Sequence, residues 1–331
     1  MHLPKKMICI FLSLFAVMSA LSGCGSKAKT VSDSGFYAIV YKDHCEINGM
    51  SAESEQVNVP QKIKGKPVTA IAEGTFSGLP VVSVTLPDTV TSIGKAAFSN
   101  CNNLVEIKLP GSLNALPDSV FFRCISLTSA NLPDSLVSIG ENAFYECNKL
   151  TIDRLPGSLV TIGPYAFAGC TSITGVSLPD TVSEIGDGAF EGASSLGAFS
   201  SGKGLVRIGK NAFGLCTALK SVTLNDGLSE IGTDAFAETA IESIDLPDSI
   251  TTLGGCFSGC KELKTAKLPS QITVIGDGLF SGCGKLSEIV LPAGIISIGN
   301  SAFKGCGSLS APSIPDGVVS VGDEAFSQCM D

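Results

Sequence analysis

The sequence predicts a repeat solenoid with a parallel β-sheet along one face, and two observations support this fold class. The segments LPDTVTSIGKAAFSNC (86–101) and LPDSLVSIGENAFYEC (132–147) belong to a pattern that returns about every 23 residues. Each copy places a phenylalanine at the same position. Self-similarity at this period is typical of solenoids, in which no unit buries its apolar face alone and stacked neighbours form one continuous core.

The first 23 residues resemble a bacterial lipoprotein signal peptide. Lys5 and Lys6 precede an apolar run at 7–20 that is too short for a membrane-spanning helix. The tetrapeptide Leu-Ser-Gly-Cys at 21–24 matches the lipoprotein cleavage signal in every position. We therefore predict export, lipid attachment at Cys24, and anchoring at the outside of the bacterial cell membrane or outer membrane. An ordinary export signal with a chance cysteine is the alternative.

Two short segments separate the signal from the repeats. Residues 24–35 are small and polar and are predicted to form a flexible tether. Residues 36–56 begin with alternating apolar positions, which favour a strand or hairpin that caps the first repeat, as a solenoid end requires. The repeats occupy residues 57–331 as about 12 units, the last one incomplete. We expect either a truncated product or a last unit that is shielded by a partner.

Each position of the unit L-P-x-x-[VIL]-x-x-[IVL]-G-x-x-A-F-x-x-C-x-x-L-x-x-[VI]-x has a structural reason. Residues 104–109 alternate apolar and polar side chains like a half-buried strand, and Pro110 ends it because proline cannot donate to a ladder. Glycines such as Gly94 allow a turn, and the Ala-Phe pair is predicted to lie on a short helical or 3-10 turn. Strands that return once per unit are expected to be parallel and in register. One ring fills each winding of the chain, which we call a coil: Phe76, Phe98, Phe121, Phe144, Phe167, Phe190, Phe213, Phe236, Phe257, Phe280, Phe303 and Phe326.

Two departures from the unit predict local irregularities. Asp153 occupies a column of inward-pointing apolar residues, and we expect Ile152 to take its place by a one-residue slip. The interval from Phe236 to Phe257 is 21 residues, two fewer than usual, which predicts a local kink or a tightened turn.

With these columns in view, residues 57–329 resemble the BspA-type, or treponemal-type, leucine-rich-repeat surface proteins, whose unit is close to the one written above. The opening segment at 57–76 is similar to the longer first unit of that family. The resemblance implies a leucine-rich-repeat-like right-handed coil displayed on a bacterial surface, with adhesion and protein binding as the associated functions. It implies no catalytic residue.

Composition argues against several function classes. Removal of the signal leaves 20 basic and 31 acidic residues, a net charge of −11 with no basic run, which disfavours nucleic-acid binding. His44 is then the only histidine, so a Ser-His-Asp or Cys-His set has no second candidate. Cys256 and Cys260, four residues apart, are too few to hold a metal alone. We expect no enzyme, no cofactor and no metal site.

Most of the 13 cysteines share one column of the unit, which also accepts Ala193 and Thr239 and therefore favours a small residue. Buried free thiols are the favoured interpretation, because free cysteine packs as a small hydrophobe. Disulfides between neighbouring coils are the alternative, since the spacing of strands lies within the range that a bridge can span.

The outward residues of the predicted sheet form the candidate binding face, in two columns that include Lys108, Asn131 and Arg154, and Lys220, Glu242 and Lys264. We predict a cell-surface lipoprotein that binds host or bacterial surface proteins or glycans through this face, in adhesion or host interaction. The alternative is a structural envelope scaffold with no discrete ligand, which self-associates through the uncapped C-terminal coil.

Overall fold

A computed structural model describes residues 28–51, 54–310 and 312–330, and in them the chain winds as a β-solenoid of stacked parallel coils. The predicted signal peptide and Cys24 lie outside the described residues. The strands are short because each coil changes direction several times within about 23 residues. The predicted leucine-rich-repeat solenoid is therefore confirmed, and its strands fall into a cap and two parallel ladders.

The cap is an antiparallel meander joined to the first coil. It consists of β1 (Lys29–Asp33), β2 (Phe36–Val40) and β3 (Cys45–Met50). Strand β3 pairs in parallel with β6 (Lys66–Ile71), which also pairs antiparallel with β5 (Lys62–Ile63). The prediction of a flexible tether over 24–35 is wrong for residues 29–33, because all five of them pair with β2. Val31 packs against the core, so this strand has one apolar contact although most of its residues are polar.

Ladder 1 is the sheet predicted from the sequence, built from the strand that follows the Cys-x-x-Leu positions. In its three-residue strands the middle side chain points inward, as Ile107 does between exposed Glu106 and Lys108. The ladder breaks between its fourth and fifth strands and again between its seventh and eighth. Its strands are β4 (Gln56–Asn58), β7 (Ser83–Thr85), β9 (Glu106–Lys108), β11 (Ser129–Ala130), β14 (Gly175–Ser177), β16 (Ala198–Ser200), β18 (Ser221–Thr223), β20 (Ser243–Asp245), β22 (Thr265–Lys267) and β24 (Glu288–Ile289).

Ladder 2 was not predicted. It begins at β6, through which it is continuous with the cap, and its other strands have two residues each. All but one of these short strands end just before the repeated glycine, and the ladder breaks after the first of them and again before the last three. The glycine that follows packs against the preceding coil: a Cβ at Gly94 would lie 2.3 Å from the backbone nitrogen of Glu73. Close approach of two coils therefore requires this glycine. The remaining strands are β8 (Ser92–Ile93), β10 (Ala115–Leu116), β12 (Ser138–Ile139), β13 (Thr161–Ile162), β15 (Glu184–Ile185), β17 (Arg207–Ile208), β19 (Glu230–Ile231), β21 (Thr252–Leu253), β23 (Val274–Ile275), β25 (Ser297–Ile298) and β26 (Ser320–Val321).

The Ala-Phe segments form hydrogen-bonded turns, and the predicted short helical or 3-10 turns are absent from the described residues. Ala96 and Asn100 have left-handed backbone conformations, with φ of 52° and 58°. The N–H groups of Ala96, Phe98 and Asn100 donate to carbonyls of the next coil at 2.7–3.0 Å, whereas an α-helix would direct them to its own chain four residues back. The backbone thus bonds alternately within a coil and to the next coil, which excludes a helix.

The phenylalanines form one continuous stack through the solenoid. Successive rings from Phe76 to Phe326 have centroids 5.0–5.8 Å apart and planes within 22° of each other. All of them from Phe76 to Phe303 are fully buried. This confirms the predicted role of the column, since each ring covers the apolar faces of its two neighbours.

The cysteine column donates hydrogen bonds to the ring-bearing residues. The eleven cysteines that the structure describes are free thiols. In one coil after another the thiol donates to the carbonyl of the preceding coil's phenylalanine, as Cys147 does to Phe121 at 3.1 Å. Burial raises the pKa of the Cys147 thiol to about 12, so it keeps its proton and remains a donor. A small side chain with one weak donor suits this site, which explains why cysteine predominates there.

The short interval between Phe236 and Phe257 produces the predicted tightened turn. In the preceding and following coils, the corresponding turn begins with a residue in the left-handed conformation, Asp234 and Gly278 respectively. The turn at 254–257 has no such residue. Both ladders are interrupted near this coil, whereas the stack of rings continues at 5.6 Å with planes 6° apart. Packing of the rings therefore holds the stack together where the backbone register is lost.

Candidate functional site

The candidate site is the outward surface of ladder 1, which we call the sheet face. It consists of the residue just before each strand and the position of each coil that corresponds to Lys108 at the end of β9. All six residues predicted to lie on this face are exposed, and successive coils present them in two columns: Lys108, Asn131 and Arg154 in the first column, and Lys220, Glu242 and Lys264 in the second.

The second column of the sheet face has a neutral half and a charged half. In the neutral half the column carries threonines, and the Thr151 hydroxyl donates to the Thr128 carbonyl at 3.2 Å. In the charged half, Lys264 Nζ lies 2.9 Å from Glu242 Oε2. This hydrogen bond lowers the pKa of Glu242 and raises that of Lys264, so both are charged at neutral pH. Lys220, one coil earlier, continues the alternation of charge along the column.

Arg154 and Asn131 lie where ladder 1 is interrupted. Asp153 is exposed and Ile152 is half-buried against the core, which confirms the predicted slip. Arg154 Nη2 lies 2.6 Å from Asp134 Oδ1, and both side chains are exposed, so this pair contributes little to stability. The slip leaves a recess of about 320 Å³ in the sheet face.

Sequence reasoning missed this recess, although its cause is visible in one column. The inward position holds Ile107 and Val176 in the coils on either side, and both are buried. Between them the column offers Ala130, which is small, and Asp153, which turns outward. Two successive coils without a large inward side chain are the signal that predicts a depression here.

A second groove of about 220 Å³ lies on ladder 2 beside Arg207 and was also missed. Arg207 bridges carboxylates of two neighbouring coils, Glu184 and Glu230, and Asp187 lies 3.6 Å from its guanidinium. Because the guanidinium is already surrounded by carboxylates, this cluster joins coils and leaves no free cation for an anionic ligand.

The residues considered singly for catalysis or metal binding are not brought together in the described part of the chain. His44 Nδ1 lies 2.7 Å from Asp43, in the cap and away from the cysteine column. No three His, Cys, Asp or Glu side chains among residues 28–51, 54–310 and 312–330 are grouped so as to hold a metal ion. The described residues also contain no helix of the length and apolarity that a membrane span requires.

Comparison with known proteins identifies the repeat. The model of the BspA-type leucine-rich-repeat region matches residues 69–197, 152–255, 192–310 and 254–331, in six copies. The chain belongs to the BspA-type leucine-rich-repeat family. These overlapping matches cover nearly all of the solenoid, so the family assignment is supported by the whole repeat array.

Two solved structures of this repeat type are similar over almost the full chain. A leucine-rich cell-surface protein from Faecalibacterium prausnitzii A2-165 is 27% identical with a TM-score of 0.63, and the match covers 92% of this chain and 93% of that one. A leucine-rich-repeat protein from Bacteroides ovatus ATCC 8483 is 26% identical with a TM-score of 0.66, and the match covers 93% and 92%. No curated protein matches the chain.

Proposed function

We propose that this BspA-type protein is a bacterial cell-surface lipoprotein that binds protein or glycan partners through the sheet face, in adhesion or host interaction. The observation that carries the proposal is the sheet face itself, a regular array of varied, exposed side chains on a rigid stack of rings. The similar Faecalibacterium prausnitzii protein is described as a cell-surface protein, which supports the location.

The architecture suits recognition of a large, shallow surface. The backbone beneath the sheet face is held by interstrand hydrogen bonds and by the buried phenylalanines, so binding does not require ordering of the chain. Neighbouring coils present their side chains about 4.8 Å apart, so a partner that spans several coils meets a regular row of contacts. The proposal includes no catalytic activity, cofactor or nucleic-acid partner.

The lipid anchor at Cys24 is a separate part of the proposal. Two or more acyl chains would hold the protein at the membrane, because each buried CH₂ contributes about 0.8 kcal/mol. We expect Cys24→Ser to release the protein from the membrane fraction without changing the unfolding of the solenoid. A Cys24→Ser variant that stays in the membrane fraction would refute the anchor.

The test of the binding face is a charge swap. The double substitution Glu242→Lys with Lys264→Glu inverts the pattern on the sheet face and keeps both the net charge and an ion pair. Swapping Lys304 and Glu324 in the same way, on the turn side, is the matched control, since their side chains also form an ion pair. In pull-downs against host matrix proteins and mucus glycans, we expect the first swap to weaken capture and the second to leave it unchanged. Equal capture by both variants would remove the charged half of the sheet face from the proposal.

The second candidate function is a self-associating scaffold, which exposed apolar side chains near the last described coil favour. Val319 is 80% exposed and Val321 50% exposed. We expect Val319→Asp with Val321→Asp to abolish any concentration-dependent increase in mass in light scattering. A strictly monomeric wild-type protein at high concentration would exclude this candidate.

A further inference from the structure

The recess in the sheet face combines an apolar interior with a polar rim. Phe144, Phe167 and Leu150 lie at its base and are buried, and Leu132 and Ile152 are half-buried at its wall. The lining is completed by Ser129, Ala130, Asn131, Thr151, Asp153 and Arg154. An apolar interior with a few polar groups at its edge, in this range of volume, is typical of a binding site.

The backbone beside the recess has free hydrogen-bonding groups. The Thr151 backbone N–H still donates to the Thr128 carbonyl at 3.0 Å. Residues 152–154, in contrast, belong to no strand and make no backbone hydrogen bond to a neighbouring coil within the described range 54–310. Strand β11 therefore has no partner on this side, and neither has β14. Unpaired extended backbone is what a partner strand uses when it adds to a sheet.

Charge at the rim favours a basic group. Asp153 is exposed and forms no ion pair with any residue that the structure describes, and Arg154 is already paired with Asp134. The rim is therefore acidic overall, with one carboxylate available. A lysine or arginine next to an apolar anchor would meet complementary charge there.

We propose that the recess receives one apolar side chain of an extended segment of a protein partner, and that Asp153 pairs with a basic side chain of the same segment. This inference rests on the proposed binding function and names the class of partner. A peptide fits better than a sugar, because the rim presents unpaired backbone and no exposed aromatic ring on which a sugar could stack.

The test uses the full-length chain and a displayed library of random nine-residue peptides. Ala130→Ile fills the recess with the residue that the neighbouring coil carries at Ile107. Ala266→Val is the matched control, since Ala266 is a buried alanine of the same column. We expect peptides enriched on the wild type to share an apolar residue beside Lys or Arg. Their affinity should fall about tenfold or more on Ala130→Ile and stay unchanged on Ala266→Val.

Two further variants separate binding from folding. Asp153→Asn should weaken the enriched peptides several-fold without filling the recess. Ala130→Val repeats the filling with less added volume, and both Ala130 variants should unfold at or above the wild-type temperature because they add contacts to empty space. An unfolding temperature clearly below that of the wild type for both would show that the recess is already packed and would overturn the inference.

The other possible outcomes distinguish failure of the recess inference from failure of the proposed function. If no peptide is enriched while the wild type still captures a partner in the pull-down, the recess inference fails and the proposed function stands. Enriched peptides that bind Ala130→Ile as tightly as the wild type would likewise overturn the inference. If Ala130→Ile abolishes binding of a glycan and not of a peptide, the recess binds a sugar and the peptide proposal is refuted. If neither the wild type nor any variant binds anything, the proposed function itself fails.

Discussion

The stack of rings leads to a quantitative prediction for Phe190→Ala. Phe190 is fully buried and lies between Phe167 and Phe213, with centroids 5.2 Å and 5.3 Å away. Truncation of a buried phenylalanine to alanine costs about 3–5 kcal/mol through lost transfer energy and the cavity that remains. We expect the upper part of this range, because two ring contacts are lost and backbone bonds to both neighbouring coils resist collapse of the cavity.

The matched control is Phe326→Ala in the last described coil. Phe326 is half-buried and stacks on one ring only, Phe303, at 5.2 Å. Its truncation should therefore cost roughly 1–2 kcal/mol. Urea denaturation followed by circular dichroism measures both, and Phe190→Ala should also split the transition, because a weak central coil uncouples the two halves of a solenoid. Equal losses for the two variants would refute the idea that the stack is the principal source of stability.

Three other predictions follow from named contacts. The thiol of Cys147 should stay unreactive to an alkylating reagent at pH 8 until denaturant is added, because burial raises its pKa to about 12; rapid labelling of the native protein would contradict this. Asp118 accepts a hydrogen bond from Lys95 at 2.6 Å that lowers its pKa, so its contribution is present above the unfolded pKa of 3.8 and is lost as the pH falls through the lower folded value. Asp118→Asn should thus lose up to about 1 kcal/mol at pH 7, and its difference from the wild type should shrink as the pH falls below 3.8, as urea titrations over this pH range would show. Asp153→Val should let ladder 1 run through residues 152–154, with slower hydrogen exchange of those amides; unchanged exchange would mean that the slip has another cause.

Side-chain patterns that repeat in the sequence predicted most of the fold. The phenylalanine column and the inward alternation around Ile107 are visible in the chain, because burial selects the same residue type at the same position in every coil. Asp153 was recognisable for the same reason, as a charge in an apolar column. These features depend only on the identity of side chains.

The features that the sequence did not reveal depend on where the backbone of the next coil lies. Ladder 2 uses two residues per coil, too few to show an alternation. The turn at Ala96 looks like a helical start until its N–H groups are seen to donate to the following coil. Predicting the recess beside Ala130 requires a comparison of two successive coils. Its depth also depends on how far Ile152 moves into the inward position that Asp153 leaves empty.

In every turn the backbone N–H groups donate alternately within the coil and to the next coil. Each coil therefore presents the same hydrogen-bonding groups to the coil before it and to the coil after it. A whole unit can therefore be gained or lost between two others with its hydrogen bonds intact, whereas both ladders are interrupted near the coil that is two residues short before Phe257. Each added unit would carry the surface about 4.8 Å further along the axis. Gene duplications in steps of one unit would thus adjust how far such a protein extends beyond the cell envelope without altering its packing.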